Sequence, residues 1–293
     1  MKNKNHLTWW LTLLYCIAFI AIFVIVAFVS DFATQWISAI SLKFFVREII
    51  IRLPLTFYLM YFFAKKVVKQ NSETFYLKNF AKNLFKWLLA GFLISIIFLL
   101  LIVILNPTNI IYKGGQLESK WLIFYLVSTI AMAINGGFLE ETLFRGYIMG
   151  LLKKKWNVKV AVLIPSILFG VMHVTMLNSF HWVDFMLLFI GGSLVGIMFS
   201  LIVIYSKNVF AAAIVHMVWN LFFAGRILKI SSAPIDEIKS VFAIQLESTH
   251  PLLNGGNFSI ETSLIAILVY AMVSVFLFLK IKSTLFGSIS APL

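Results

Sequence analysis

Residues 135–150 read NGGFLEETLFRGYIMG and place three charges inside an apolar region. Glu140 and Glu141 are adjacent, and Arg145 follows four residues after the second. The whole chain has 293 residues, of which 61% are hydrophobic and only 12% charged. Ionisable side chains at membrane depth cost about 2.5–3.5 kcal/mol each on insertion scales, so they indicate a functional site. On a helix, Glu141 shares a face with Arg145, whereas Glu140 is rotated about 100° away.

The composition excludes a water-soluble globule and predicts an all-α, polytopic membrane protein. Repeated apolar runs indicate about eight transmembrane helices. Their approximate bounds are 8–30, 37–64, 87–106, 121–152, 160–177, 183–205, 209–228 and 261–281. We therefore expect residues 1–293 to form a single integral membrane domain. The longest extramembrane stretch, 229–260, is expected to be an irregular loop because it is polar and contains Pro and Gly.

The net charge of +13 is concentrated in short loops beside apolar runs, which is typical of the positive-inside rule and not of nucleic-acid binding. Fifteen lysines, including Lys2, Lys4 and Lys82, fall on one predicted side and five cations on the other. This bias predicts that both termini are cytoplasmic. The Lys-, Asn-, Phe- and Ile-rich composition suits a multi-pass protein of a bacterial plasma membrane. The single cysteine, Cys16, excludes an intrachain disulfide and a cysteine-based metal site.

Three predicted spans carry polar side chains to nearly the same depth. Measured from the nearest lysine at 1.5 Å per residue, Glu140 and Asn220 lie ~20 Å inward and His173 lies ~21 Å inward. His216 lies at ~14 Å, one turn nearer the cytoplasm. Small residues beside them permit close helix contact. These are Gly136, Gly137, Gly170 and residues 211–213.

Two local features of the spans lead to further expectations. Gly136 and Gly137 are expected to break span four into an outer piece, 121–135, and an inner piece, 138–152. Span two carries several charges in its outer half. One interpretation is a Glu48–Arg52 pair four residues apart at the membrane interface. The alternative is that Arg47 or Arg52 lines a polar cavity that substrate reaches.

These residue types are suited to hydrolysis of a peptide bond. Glu140 can act as a general base toward water, and histidine and the Asn220 amide can donate hydrogen bonds to a developing oxyanion. Zinc is the alternative, since catalytic Zn²⁺ accepts two histidines and one carboxylate; its candidate ligands are Glu140, His173 and His216. No H-E-x-x-H pattern occurs, and the three aspartates do not pair across two spans. Both facts argue against a zincin and an intramembrane aspartyl protease.

Three motifs in the chain resemble those of the CAAX-protease and bacteriocin-processing family, also called Abi. EETLFR at 140–145 matches E-E-x-x-x-R, FGVMH at 169–173 matches F-x-x-x-H, and HMVWN at 216–220 matches H-x-x-x-N. The motifs occur in the family's order and define 121–228 as the predicted catalytic core. The resemblance implies an eight-helix all-α fold and an intramembrane endopeptidase, a hydrolase acting on a membrane-associated, prenylated or leader peptide.

The resemblance also implies roles for the site residues. Glu140 is the residue that activates water, and Glu141 and Arg145 support it. The site is completed by His173, His216 and Asn220. The family has been labelled a metalloprotease, and relatives have also been described as metal-free glutamate proteases, so zinc stays open at this point.

Two other function classes are compatible with the sequence. The first is a non-catalytic bacteriocin-immunity or regulatory membrane protein that retains the motifs. The second is a proton-coupled transporter using Glu140 and the histidines as a relay. The chain shows no internal repeat of the kind that many transporters contain, which favours the protease over the transporter.

Overall fold

Helices make up most of the chain in the computed structural model, which describes residues 7–78, 80, 83–177 and 179–287. Lys2, Lys4 and Lys82, which entered the charge count, lie outside these residues. The helices are α1 (Trp9–Thr34), α2 (Ile40–Phe45), α3 (Leu53–Phe63), α4 (Leu84–Leu105), α5 (Ser119–Asn135), α6 (Met149–Lys155), α7 (Val158–Val174), α8 (Trp182–Ser206), α9 (Val209–Phe223), α10 (Pro251–Asn254) and α11 (Leu264–Gly287).

The chain is a helical, multi-pass membrane protein. Within the described residues, five helical segments are long and apolar enough to cross a membrane: Trp9–Thr34, Leu84–Leu105, Ser119–Lys155, Trp182–Ser206 and Leu264–Lys282. The predicted count was eight. The helices α7 and α9 are apolar but have only 17 and 15 residues, fewer than the ~20 that a bilayer requires. Predicted span two is helical, with a π-helical stretch at Val46–Arg52 between α2 and α3 and a second one at Ala64–Val68 after α3. The orientation of the termini stays a prediction.

The predicted break at Gly136 and Gly137 is wrong, because the helix continues without interruption from Ser119 to Lys155. Between α5 and α6 it winds as π-helix over Gly136–Glu140 and Thr142–Ile148. The glycines serve packing instead of a break: a Cβ atom on Gly137 would lie 2.6 Å from the Ala213 carbonyl oxygen of α9. Short π-helical stretches inside α-helices occur frequently at functional sites.

A small sheet replaces the irregular loop expected at 229–260. Its strands are β1 (Thr108–Tyr112), β2 (Leu228–Ser231) and β3 (Phe242–Leu246), in the order β1-β3-β2. Strand β3 is central; it runs antiparallel to β1 and parallel to β2. Ile110, Ile244 and Ile230 occupy one row of the register across the three strands. The local sequence of 229–260 conceals these strands because β3 finds its antiparallel partner more than 120 residues earlier.

The long helix Ser119–Lys155 packs against both other motif helices, α7 and α9, and α8 contacts both of these as well. Helix α9 contacts the π-helical turn Gly136–Glu140 as well as α4, α5 and α8, and α7 packs along α8. Small residues make these contacts close: a Cβ atom on Gly170 of α7 would lie 2.8 Å from the Phe189 carbonyl oxygen of α8. The packing therefore holds polar residues from three helices around one interior space.

Candidate active site

Glu140, His173, His216 and Asn220 line a single cavity with a volume of about 600 Å³. Glu140 belongs to the Ser119–Lys155 helix, His173 to α7, and the other two to α9. His216 is buried, whereas the other three side chains are half-buried. The structure thus brings together four residues that lie as far as 80 positions apart in the sequence.

The Glu140 carboxylate has no ion pair or hydrogen bond to any described residue. It lies beside the amide of Asn220 because Gly136 has no side chain between them. A Cβ atom on Gly136 would collide with Asn220 Nδ2 and lie 3.9 Å from Glu140 Oε1. Gly136 therefore keeps a carboxylate and an amide donor open to the same part of the cavity.

Glu141 has the opposite environment, since its side chain is fully buried and paired. Its Oε1 atom accepts a hydrogen bond of 2.9 Å from Arg145 Nη1 and lies 3.0 Å from His216 Nδ1. The Arg145 side chain is fully buried as well. The predicted pairing of Glu141 with Arg145 is present. The contact between Glu141 and His216 links the first motif to the third, because a single carboxylate oxygen bridges Arg145 and His216.

Phe169 connects Arg145 to His173 and explains the spacing of the second motif. The Arg145 guanidinium carbon lies 4.4 Å from the centroid of the Phe169 ring, a favourable cation–π distance. The Phe169 carbonyl oxygen lies 2.8 Å from Nδ1 of His173, four residues later on α7. The ring of residue 169 thus covers the buried arginine while its backbone orients the histidine.

The partners of the two histidines indicate where their hydrogens lie. A carbonyl oxygen only accepts, so Nδ1 of His173 is the donor toward Phe169. The Glu141 carboxylate, paired with Arg145, likewise accepts from Nδ1 of His216. The Nε2 atom of each ring has no hydrogen bond to a described residue. In both rings Nε2 is thus available to a ligand in the cavity.

A charged cluster from predicted span two occupies another wall of the cavity. Arg47 Nε lies 2.9 Å from one oxygen of Glu48, and Arg52 Nη1 lies 3.0 Å from the other. Arg47 also pairs with Asp31 at 2.9 Å, and the Asn135 amide donates to the Glu48 carboxylate. Part of each interpretation of this segment is present, whereas its place at the membrane interface and its access to substrate stay predictions. Glu48 and Arg52 pair at i,i+4, and both arginines line the cavity.

Sequence reasoning missed Glu261, a further carboxylate that lines the same cavity. It lies in the short 3₁₀ turn Ile260–Thr262, just before α11. Its Oε1 atom accepts a hydrogen bond of 2.7 Å from Trp219 Nε1, and Ser259 Oγ donates to Oε2 at 3.2 Å. No signal in the sequence marks Glu261, because it stands at the start of the last apolar span. A carboxylate at the start of a helix is ordinarily solvated and interacts with the helix dipole.

The described residues do not form the three-ligand zinc site that the sequence left open. No group of three or more His, Cys, Asp or Glu side chains in this part of the chain is arranged to hold a metal ion. The Nδ1 atoms of His173 and His216 are engaged by Phe169 and Glu141, so only the Nε2 atoms of these rings could bind a metal ion. No step of the mechanism proposed below is therefore assigned to zinc.

Comparison with known families adds an independent observation on this region. Residues 119–222 match the family model described as type II CAAX prenyl endopeptidase Rce1-like. The match confirms the resemblance predicted from the motifs, and all three motifs lie inside the matched segment. Glu261 and the cluster around Glu48 lie outside it. No curated protein and no solved structure matches the chain at a significant level.

Proposed function

We propose that this protein is an intramembrane endopeptidase in which Glu140 activates the attacking water. The observation that carries the proposal is the contrast between two adjacent carboxylates. Glu141 is fully buried and engaged by Arg145 and His216, whereas Glu140 faces the cavity and forms no ion pair or hydrogen bond with a described residue. An unpaired carboxylate held inside a membrane protein is costly, and general-base chemistry requires such a group.

The reaction begins with a water molecule held between Glu140 and the scissile carbonyl carbon. The Glu140 carboxylate takes one proton while the water oxygen bonds to that carbon, and the carbonyl becomes an oxyanion. The Asn220 amide, which donates in every protonation state, stabilises the oxyanion. The carbon–nitrogen bond then breaks, and the proton held by Glu140 passes to the departing amine. Atoms and charge balance without a further reactant.

The histidines act on the same cavity through their Nε2 atoms. Because Glu141 accepts from Nδ1 of His216, the ring is held in one orientation and its Nε2 atom is left for a ligand in the cavity. His173 is oriented by the Phe169 carbonyl in the same manner. Glu141 and Arg145 are thus positioning residues, since Glu141 holds His216, Arg145 holds Glu141, and neither side chain lines the cavity.

The substrate we propose is a membrane-associated peptide, either prenylated or a leader peptide. The name of the matched family refers to prenyl endopeptidases, and the cavity lies among membrane-spanning helices. The residues that carry out the reaction lie within 121–228, the proposed catalytic core of one integral membrane domain. A bacterial plasma membrane is the proposed location.

Replacing Glu140 with glutamine tests this function directly. Purified protein in lipid nanodiscs is incubated with a peptide library that includes prenylated members, and products are identified by mass spectrometry. Loss of a general base typically costs 10²–10⁴-fold in rate, so Glu140→Gln should lose cleavage by that factor while its unfolding temperature stays unchanged. Glu118→Gln, at an exposed carboxylate outside the cavity, should retain full activity.

Three results would overturn the proposal or its metal-free mechanism. Equal cleavage by wild type and Glu140→Gln would remove Glu140 as the general base. No cleavage by either protein would favour the non-catalytic immunity or regulatory role. Stoichiometric zinc in active wild-type protein that is lost in His216→Ala would overturn the metal-free mechanism. In that case a chelator should also abolish cleavage and added Zn²⁺ should restore it.

A further inference from the structure

Glu261 gives the cavity a second carboxylate that the three motifs do not explain. It lies outside the segment 119–222 that matches the endopeptidase family, yet it lines the same cavity as Glu140. Its side chain is half-buried and thus open to a molecule inside the cavity. A carboxylate in this position requires either a protein cation that pairs with it or a ligand that it binds.

The partners of Glu261 fix its position without neutralising its charge. Trp219 Nε1 donates to Oε1 at 2.7 Å, and Ser259 Oγ donates to Oε2 at 3.2 Å. Both are uncharged donors. Among the described residues, no Lys, Arg or His side chain lies within ion-pair distance of Glu261. Two uncharged donors therefore orient the carboxylate, and no described cation pairs with it.

The other charges that face the cavity do not offset Glu261 at close range. Arg47 and Arg52 are both paired with Glu48, and Arg47 also pairs with Asp31. Lys229 on β2 lines the cavity and forms no ion pair with Glu261 in the described structure. A cationic group entering the cavity would therefore find an oriented, unneutralised acceptor at Glu261.

The segment that carries Glu261 lies directly over the proposed catalytic residues. Trp219, its hydrogen-bond donor, immediately precedes Asn220 on α9. The Phe258 ring is 6.4 Å from the His173 ring, centroid to centroid. Glu261 and Glu140 therefore line the same cavity, and a peptide bound there is exposed to both carboxylates.

We propose that Glu261 is a specificity-determining residue that binds a cationic group of the substrate peptide. The group is a lysine or arginine side chain or a free N-terminal ammonium, each of which can donate charge-assisted hydrogen bonds to the carboxylate. This assignment rests on the proposed endopeptidase function. It deepens that function by selecting, among membrane-associated peptides, those with a positive charge near the cleaved bond.

Matched peptide pairs separate this role from a purely structural one. Lysine peptides are compared with norleucine peptides of equal length, arginine with citrulline, and free with acetylated N-termini, and kcat/KM is measured for each. Glu261→Gln keeps an oxygen acceptor for Trp219 and removes the charge, although its amide nitrogen cannot accept the hydrogen bond from Ser259. It should lower kcat/KM for the cationic member of at least one pair by 10- to 100-fold and change the neutral member less than 2-fold.

Two further variants complete the design. Glu261→Asp retains the charge on a shorter side chain and should recover part of the preference for the cationic peptide. Glu247→Gln, at an exposed carboxylate just after β3 and outside the cavity, should behave as wild type. An equal loss on cationic and neutral peptides would assign Glu261 to fold maintenance or catalysis, and no loss on either would remove it from substrate binding.

A binding measurement keeps this proposal distinct from the proteolysis itself. The same peptide pairs are titrated against Glu140→Gln and against the double variant Glu140→Gln, Glu261→Gln in nanodiscs. The single variant should bind the cationic peptide at least 10-fold more tightly than the double variant. If wild type cleaves nothing but this difference is present, the proteolysis fails and the cation site stands; if the difference is absent, the cation site fails.

Discussion

Glu140 and Glu141 are neighbours in the chain, and the structure gives them opposite surroundings. Glu141 is fully enclosed and shares one oxygen between Arg145 and His216. Glu140 faces a cavity of about 600 Å³ and has no described partner. The helical rotation between adjacent residues, about 100°, is enough to turn one carboxylate into packed structure and the other toward a ligand.

The comparison separates what stabilises the fold from what performs chemistry. The free-energy cost of desolvating two charges offsets most of the attraction between them, so the Glu141–Arg145 pair adds little net stability. Removing one partner is far more costly, because the other charge then stays buried alone. Substitutions on the enclosed side should therefore reduce stability, and those on the cavity side should reduce activity alone.

The largest effect on stability is expected at Arg145. Arg145→Ala leaves the fully buried Glu141 without its cation, which typically costs 3–5 kcal/mol, and should lower both the unfolding temperature and the folded yield. Thermal unfolding in detergent measures the change. Arg226→Ala, at an exposed arginine, is the control and should cost less than about 1 kcal/mol.

A double variant checks that the cause is the unpaired charge. Glu141→Gln combined with Arg145→Gln removes both charges and should recover part of the lost yield. An unfolding temperature for Arg145→Ala equal to that of wild type would show that the pair does not support the fold. The assignment of Glu141 to a structural role would then be wrong.

On the cavity side, Asn220 should produce a loss of rate without a loss of stability. Removing one oxyanion donor typically costs 10²–10³-fold in kcat, so Asn220→Ala should leave weak but measurable cleavage. Asn109→Ala, at an exposed position on β1, is the matched control and should cleave normally. A drop in the unfolding temperature comparable to that of Arg145→Ala would place Asn220 on the enclosed side of the comparison.

The sequence predicted the parts of this site that depend on local helical spacing. Residues four apart share a helix face, which was enough to anticipate the Glu141–Arg145 pair and the common face of His216 and Asn220. Contacts between elements distant in the chain could not be found this way. The Trp219–Glu261 hydrogen bond joins residues 42 positions apart and needs the fold to be known first.

Gly136 and Gly137 show a different limit of prediction. Glycine weakens an isolated helix by about 1 kcal/mol relative to alanine, so two successive glycines predict a break in the helix. In the folded chain the helix continues and α9 packs against the bare backbone there. The cost in helix propensity is offset by contacts that single-helix reasoning does not include.

The smallest effect we predict follows from that contact and compares two glycines of the same helix. A Cβ atom on Gly137 would lie 2.6 Å from the Ala213 carbonyl oxygen and 2.8 Å from the Met217 amide nitrogen, both backbone atoms of α9. A Cβ atom on Gly146 would lie 3.5 Å or more from its neighbours, which is ordinary contact. Gly137→Ala should therefore cost about 1–3 kcal/mol of unfolding free energy, as overpacked interiors do.

Gly146→Ala should change the unfolding free energy by less than about 1 kcal/mol, because alanine favours helix and the nearest atom, the Phe75 carbonyl oxygen, would lie at an ordinary contact distance of 3.5 Å. Gly137→Ala should also slow cleavage, because the displaced helix α9 carries both His216 and Asn220 away from Glu140. Thermal unfolding and cleavage rates of the two variants, measured side by side, test both statements. If the two alanines have the same effect on stability, the close approach at Gly137 does not hold α9 in place, and the geometry of the cavity depends on other contacts.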